Sequence, residues 1–306
     1  MVSEVVVNRV VVRVPAKINL SLAVGARAAD GYHPLATVFE AVSLFDEVHA
    51  EEFDGDGIDV LVAGAGAESV PTGEDNLAVR AARLLAERYD IELAGLALTL
   101  RKAIPTAGGM AGGSADAAGT LLACSVLWDI DIDADEMRDL AAELGSDVPF
   151  ALLGGTAIGT GRGTELVPVL SRGRRHWVLV FDNDGLSTAD VYRRYDELRP
   201  KGSELAVPDE LMNALTAGSV VDLAPALRND LAEAAIDLRP DLEDLLARGV
   251  EAGALAGMIS GSGPTCAFLC RDESTAIDVS GRLARDGAGD RVRRVVGPAH
   301  GARLLG

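Results

Sequence analysis

The segment KAIPTAGGMAGGSADAAGTLL, from Lys102 to Leu122, places four glycines within the six residues 108–113 and follows them with a serine and an alanine-rich run. Consecutive glycines let backbone N–H groups turn toward an anion and leave room for its approach. A helix start directly behind them adds unpaired donors and the positive end of a helix dipole. The chemistry of this stretch is that of a phosphate cradle. It lacks the Gly-Lys-Ser/Thr ending of a P-loop, and it does not follow the G-x-G-x-x-G dinucleotide pattern. A flexible linker would be the bland alternative. The apolar LALTL (96–100) ahead of the loop and the apolar helix behind it argue against that.

Two further residues have types that suit group transfer. Asp147 lies in GSDVPF (145–150), where Ser146 is placed to cap a short helical turn that begins at Asp147. The helix end should hold that carboxylate ionised, so it can orient a hydroxyl and take its proton late, although an aspartate of pKa ~3.9 is a feeble base for an alcohol. A plain first-turn charge is the simpler reading. Lys17 falls in a strictly alternating stretch, with Ile18, Leu20, Leu22 and Val24 on one face and Lys17, Asn19, Ser21 and Ala23 on the other. On its own, such a lysine is a solvated strand residue. Arg101 and Lys102 precede the glycine loop, and by default are strand-end charges in water that add positive potential. A second glycine cluster, Gly261, Ser262 and Gly263, suits either a tight strand–strand turn or a site loop.

The elements that must position these groups alternate between strands and helices. Strands are expected over 5–14, 17–24, 37–48, 58–62 and 96–101, with a helix over 76–88. After the loop, Ser114–Trp128 reads as a buried helix. A second helix is capped at Asp133, with Glu136 at capping-box spacing and Gly145 as its stop. RGRRH (172–176) is the expected junction between residues 1–172 and 173–306, both α+β. Beyond it come a strand at HWVLVF, a capped helix at STADVYRRYDELR, helices near 208–216, 222–235 and 240–252, then strand, helix and strand. Thr188 and Tyr192 stand four apart on the STADVY helix, hence on one face.

Composition narrows the function. The chain has 306 residues, 48% hydrophobic and 25% charged, which suits one large or two ordinary globular domains. A formal net charge of −19 argues against nucleic acid or an anionic membrane as partner. An anionic ligand must therefore be held by local backbone donors, a few lysines and a metal ion. Cys124, Cys266 and Cys270 lack C-x-x-C spacing and the four histidines are scattered, so neither a zinc site nor a disulfide framework is indicated. MVSEVVVNRVVVRV interleaves charges instead of forming a signal-peptide core, so a cytoplasmic location is expected.

PTAGGMAGGSADAA resembles the ATP-phosphate loop of the galactokinase–homoserine kinase–mevalonate kinase–phosphomevalonate kinase (GHMP) superfamily. PAKINLSLAVGARAADGYHPLATVFEAVSLFDEV (15–48) and SGSGPTCAFL (260–269) resemble the terminal motifs of its cytidyl-substrate branch, and GSDVPF and RNDLAEAA (228–235) fit as well. The resemblance runs from residue 14 to about residue 270. Family loops usually read GGLGGGSS. Here Ala111 replaces a glycine and Ala115 a serine, a narrower loop with one hydroxyl fewer, and some effect on ATP affinity is expected.

The resemblance implies a two-domain fold, with an N-terminal ATP-binding domain containing a left-handed βαβ crossover, against the general right-handed rule, and a ferredoxin-like C-terminal domain. It implies Mg2+-dependent transfer of the γ-phosphoryl of ATP to the 2-hydroxyl of 4-diphosphocytidyl-2-C-methyl-D-erythritol, a step of non-mevalonate isoprenoid synthesis. ATP would be held by Pro105, Thr106, Ala107, Gly108, Gly109, Met110, Ala111, Gly112, Gly113, Ser114 and Ala115. No protein ligand of magnesium is assigned; ATP and water would hold it, with Ser114 as the loop side chain able to join. Lys17 and Asp147 would be the catalytic pair and Asn19 a substrate ligand. Tyr32 and His33 would hold the cytosine, Tyr192 would pack on the cytidine with Thr188 on the same face, and Gly261, Ser262 and Gly263 would close on the acceptor. Oligomeric state stays open between monomer and weak homodimer. Competing readings are a superfamily kinase for homoserine, a mevalonate or a sugar, and a catalytically silent binding protein on the same fold.

Overall fold

From Arg9 onward the valine-rich stretch and the alternating stretch after it form one strand, not two; residues 5–8 of the expected first strand lie outside the described residues. In the computed structural model, which describes residues 9–64, 66–106, 108–182 and 185–305, β1 runs Arg9–Val24. It pairs antiparallel with β2 (Leu35–Glu52), and the register shifts between Pro15 and Ala16 and again between Asn19 and Ser21. Pro15, with no N–H to give a ladder, marks the first irregularity, so the sequence reads as a break where the strand only shifts register.

β3 (Ile58–Gly64), α1 (Leu77–Arg88) and β4 (Leu96–Lys102) follow, with β3 and β4 parallel and adjacent. This is the βαβ unit of the first sheet, and β4 delivers the chain to the glycine loop. Behind the loop comes α2 (Gly112–Leu127), apolar on all sides and mostly buried, as a central helix should be. Its Gly119 admits close approach to the sheet, since a Cβ there would stand 2.6 Å from Val48 Cγ2 and 2.9 Å from Val14 Cγ2. α3 (Ala134–Leu144), capped by Asp133 as expected, and α4 (Val148–Leu153) lead to β5 (Thr156–Thr160) and β6 (Glu165–Pro168), which extend the first sheet from β2.

The second sheet begins with β7 (Arg175–Val180). Its helices are α5 (Thr188–Leu198), capped by Ser187, α6 (Asp209–Ala217) and α7 (Val220–Leu223). The single helix expected over 222–235 is not formed. Pro225 cannot continue α7, and a short 3-10 turn at Ala224–Ala226 leads into the two-residue strand β8 (Arg228–Asn229) before α8 (Ala232–Leu238). α9 (Asp241–Glu251), β9 (Ala256–Ile259), β10 (Cys266–Cys270), α10 (Glu273–Leu283) and β11 (Val292–Gly297) complete it. The order β11-β7-β10-β9, antiparallel throughout, is the ferredoxin-like arrangement.

The two sheets share one apolar core, in which Ile18, Leu20 and Val38 cluster with Trp177, Leu179 and Leu269. Glu40 lies in that layer, fully buried. It accepts hydrogen bonds from Arg175 Nε (2.5 Å) and Trp177 Nε1 (3.0 Å). Arg175, within the expected RGRRH junction, is thus a buried residue at the start of β7. The chain also returns to the first sheet after the second: β8 pairs parallel with β1, and β12 (Arg303–Leu304) pairs antiparallel with it. Among the described residues no helix is long and apolar enough to cross a membrane.

Candidate active site

Lys17 is a buried lysine, 7% exposed, not a solvated one. Its Nζ donates to Asn19 Oδ1 (2.9 Å), Asn19 Nδ2 donates to Thr37 Oγ1 (2.9 Å), and the Thr37 hydroxyl donates to Ser21 O (2.7 Å). This relay of donors fixes the amide orientation of Asn19 and holds the ammonium at one place. Asp147 Oδ2 stands 3.7 Å from Lys17 Nζ. Phe39 supports the pair from below: its ring centroid is 5.7 Å from Nζ, and it stacks on Phe150 of α4 at 4.9 Å.

Asp147 itself occupies the N-cap position of α4, displacing the expected Ser146 cap by one residue, and its side chain makes no capping hydrogen bond. Asp147 has helical backbone angles (φ −91°, ψ −10°) where a capping residue is extended, and Pro149 removes the second N–H of the helix as a partner. The carboxylate is left uncommitted to its own helix and available to Lys17.

The glycine loop ends two residues earlier than the sequence suggested. α2 starts at Gly112 with Ala111 as N-cap, so Ser114 sits in the first turn and is not the cap. Ala111 adopts the left-handed conformation (φ 62°, ψ 37°), which explains why glycine is usual at this position of related loops. The first N–H groups of a helix, here from Gly112 to Ser114, have no intrahelical partner and suit an anion. Ala115 N donates to Ala111 O (2.9 Å), so its N–H closes the helical turn and does not serve a phosphate. The Met110 side chain is fully buried, while its carbonyl accepts from Lys17 N at 3.4 Å. Thr106 Oγ1 lies 2.8 Å from Ser69 Oγ, at the edge of the loop near Pro105. Ala107 lies outside the described residues.

The second glycine loop packs on the first. A Cβ on Gly109 would stand 2.1 Å from Ser260 O and 3.0 Å from Gly263 N, and Ser260 Oγ donates to Gly109 O at 3.2 Å. A Cβ on Gly261 would meet Lys17 Nζ at 3.3 Å and Asn19 Oδ1 at 3.5 Å. Gly109 and Gly263 therefore lie against each other, and Gly261 stands beside Lys17 and Asn19. Thr188 Oγ1 lies 2.9 Å from Ser262 Oγ, which ties α5 to the same loop.

Tyr192 packs on His33, with ring centroids 4.9 Å apart, and His33 Nε2 lies 2.7 Å from Asp196 Oδ1. Burial raises the Tyr192 hydroxyl far above its ordinary pKa, and the Asp147 charge adds to the shift. Tyr32 is more than half exposed, with the Arg162 guanidinium 3.8 Å over its ring. Three contributors escaped the sequence reading. Asp196 orients His33, and Arg162 covers Tyr32. Asn229 of β8 donates from Nδ2 to Ile259 O (2.9 Å) and Gly261 O (2.7 Å), which holds the second loop in place. The triplet Arg228-Asn229-Asp230 was the available signal, since a polar run between apolar segments that forms no helix must satisfy something else. Among the described residues, no group of three or more His, Cys, Asp or Glu side chains is placed to hold a metal ion.

A glycine loop opening onto a buried helix, a lysine–aspartate pair beside it, and a ferredoxin-like half closing over both define the GHMP class of small-molecule kinases. The family described as GHMP kinases N terminal domain matches residues 76–155, and GHMP kinases C terminal matches residues 211–289. The chain belongs to this family and, within it, to the 4-diphosphocytidyl-2-C-methyl-D-erythritol kinases. It is 51% identical over 300 residues to the protein of that name from Cutibacterium acnes, covering 97% of each chain. It is 52% identical over 298 residues to that from Mycobacterium tuberculosis, covering 97% of this chain and 93% of the relative. A crystal structure of 4-(cytidine 5'-diphospho)-2C-methyl-D-erythritol kinase superposes with a TM-score of 0.78 at 32% identity, over 94% of this chain and 99% of that one. A homoserine kinase from Cytophaga hutchinsonii shares the fold at 17% identity, with a TM-score of 0.75 and all of both chains covered.

Proposed function

We propose that this ATP-dependent kinase phosphorylates the 2-hydroxyl of 4-diphosphocytidyl-2-C-methyl-D-erythritol, releasing ADP. The observation that carries the reading is the placement of Lys17, 3.7 Å from Asp147, against both glycine loops. Phosphoryl transfer passes through a loose transition state, so the protein's work is to position two substrates and neutralise charge.

In the transfer, the acceptor O–H bond breaks and an O–P bond forms as the bond between the γ-phosphorus and the β,γ-bridging oxygen breaks. The proton goes to the Asp147 carboxylate, and the electron pair leaves with ADP. Lys17, held by Asn19, stands where a compact positive charge can stabilise the attacking oxygen and the transferring group. Gly112, Gly113 and Ser114 offer backbone donors to the phosphates. Magnesium, when bound, would offset charge on the phosphate oxygens; the Ser114 hydroxyl is the side chain of the loop suited to join its shell. The donor set fits ATP and a metal carried by it.

The division of labour we infer assigns ATP and catalysis to residues 1–172 and the acceptor side to residues 173–306. His33, Tyr192 and Tyr32 would receive the cytosine, with Thr188 and Ser262 near the diphosphate-linked polyol. The net charge of −19 favours a small-molecule acceptor over nucleic acid, and we infer a cytoplasmic enzyme. The test is ADP release across a panel of methylerythritol derivatives with and without Mg2+. Turnover only with the cytidyl-activated acceptor and metal supports the reading. Turnover of homoserine or mevalonate instead, or ATP binding with no acceptor used, would overturn it.

A further inference from the structure

Three charged side chains that the transfer step does not use are buried at the base of the glycine loop. Lys102 ends β4, Asp46 lies in β2, and Asp116 lies in the first turns of α2. The side chains of Lys102 and Asp46 are wholly buried, and that of Asp116 is 4% exposed. Lys102 Nζ donates to Asp46 Oδ2, to Asp116 Oδ2 and to Gly112 O (3.0 Å). These three contacts use all three donors of an ammonium. Asp46 Oδ1 accepts from Ala103 N (2.6 Å) and Ile104 N (2.9 Å).

The two ends of the loop are thereby joined. Asp46 takes the backbone just ahead of Pro105, and Lys102 takes the carbonyl of the first residue of α2 and a side chain one turn on. Removing charges from water in this way is unfavourable, and apolar residues of similar volume would serve stability as well or better. What apolar residues would not do is fix the distance and direction between the two loop ends, because their contacts have no preferred axis.

We propose that Lys102, Asp46 and Asp116 form a clasp that sets the aperture of the nucleotide loop, with Lys102 as a positioning residue for ATP and not a ligand of it. This rests on the kinase reading above. The electrostatics agree with a clasp centred on a charged Lys102. Burial works against the Lys102 ammonium, but Asp116 and Asp46 outweigh it and hold its pKa above the ordinary value. No terminal donor is left over for a phosphate.

The test compares Lys102→Met, Asp116→Leu and Asp116→Asn with wild type. Affinity for a non-hydrolysable ATP analogue is measured by calorimetry without acceptor, and KM for each substrate is measured in turnover. A loop displaced by a fraction of an ångström should weaken ATP-analogue binding and raise KM for ATP by roughly tenfold or more in Lys102→Met, with KM for the acceptor changed by less than about threefold. An asparagine side chain keeps an oxygen for Nζ, so Asp116→Asn should retain more ATP affinity than Asp116→Leu, which a merely volumetric role would not produce. Equal rises in both KM values, or unchanged ATP affinity in folded Lys102→Met, would overturn the clasp. If Lys102→Met does not fold, the ordering of the two Asp116 variants decides: Leu equal to or better than Asn overturns it. Wild-type protein that fails to bind the analogue would instead overturn the kinase reading.

Discussion

Lys17 Nζ stands 3.7 Å from Asp147 Oδ2 while it is hydrogen-bonded at 2.9 Å to Asn19. The closer contact is to the amide, so the lysine is anchored by Asn19 and only faces the carboxylate, close enough for a hydroxyl approaching from the side to contact both. Asp147→Asn keeps the shape and removes the proton acceptor, and kcat should fall by about 10²–10⁴ with the thermal midpoint unchanged. Lys17→Arg should not restore the rate of Lys17→Met, because a planar fork does not occupy the point-charge position that Asn19 defines. Steady-state kinetics with circular dichroism on the same samples checks both; a near-normal kcat in Asp147→Asn would remove Asp147 from the chemistry.

Contact between the two glycine loops makes a separate prediction. Gly109 has φ 73°, and a Cβ there would collide with Ser260 O at 2.1 Å, a backbone atom that cannot swing aside. Gly109→Ala should therefore move the loops apart and raise KM for both substrates, with a loss of stability of about 1–3 kcal/mol. An effect on ATP alone in steady-state kinetics would show that the acceptor loop does not depend on the nucleotide loop.

Much of this site could be read from the sequence because its chemistry is backbone chemistry. Glycines at 108–113 and 261–263 announce loops, and the alternation at 17–24 put Lys17 and Asn19 on one side. The site's supports were illegible for a different reason. Lys102, Asp46 and Arg175 look like ordinary surface charges until partners distant in sequence are known, and burial of a charge is decided by those partners. Asp196 is one acid among several on a capped helix, and only the fold brings it to His33. The Ser146 cap and the helix start at Ser114 missed by one and two residues: Asp147, with helical backbone angles, takes the cap position of α4, and the left-handed Ala111 starts α2 early.

Asp196 accepts from His33 Nε2–H at 2.7 Å, which would leave Nδ1 of the neutral ring as an acceptor. Asp196→Asn loses the charge that favours this tautomer, and KM for the cytidyl acceptor should rise by about tenfold, the worth of a hydrogen bond to a charged group. ATP-analogue affinity, measured by calorimetry, should not move. Equal weakening of both substrates would mean that Asp196 supports α5 as a whole.

Burial raises the Asp116 carboxyl from 3.8 to about 7, despite the opposing pull of Lys102. Its folded pKa therefore lies above its unfolded one, and the folded state binds the extra proton between those values. The associated stability is complete below pH 3.8 and is lost as pH rises toward about 7. Asp116→Asn removes this titration, so its urea midpoint relative to wild type should rise across that interval and level off above it. Parallel midpoint profiles for the two proteins would show that the proton is shared elsewhere, with Asp46 as the neighbouring carboxylate.

Glu40 and Arg175 form a buried ion pair between the two sheets, and their coupling can be measured directly. Arg175→Met strands a carboxylate that burial already pushes toward its neutral form, and leaves it with only Trp177 Nε1 as donor. Unfolding in urea should show a loss of about 3–5 kcal/mol, the usual consequence of breaking one side of a buried pair. Glu40→Gln strands the guanidinium instead and should lose a comparable amount. In the double variant no charge is stranded, and the Gln amide oxygen can still accept from Trp177, so the combined loss should be well below the sum of the single losses. Additive losses would mean that the pair is not coupled and that the apolar residues around it, Ile18, Leu20 and Leu179 among them, hold the sheets together unaided.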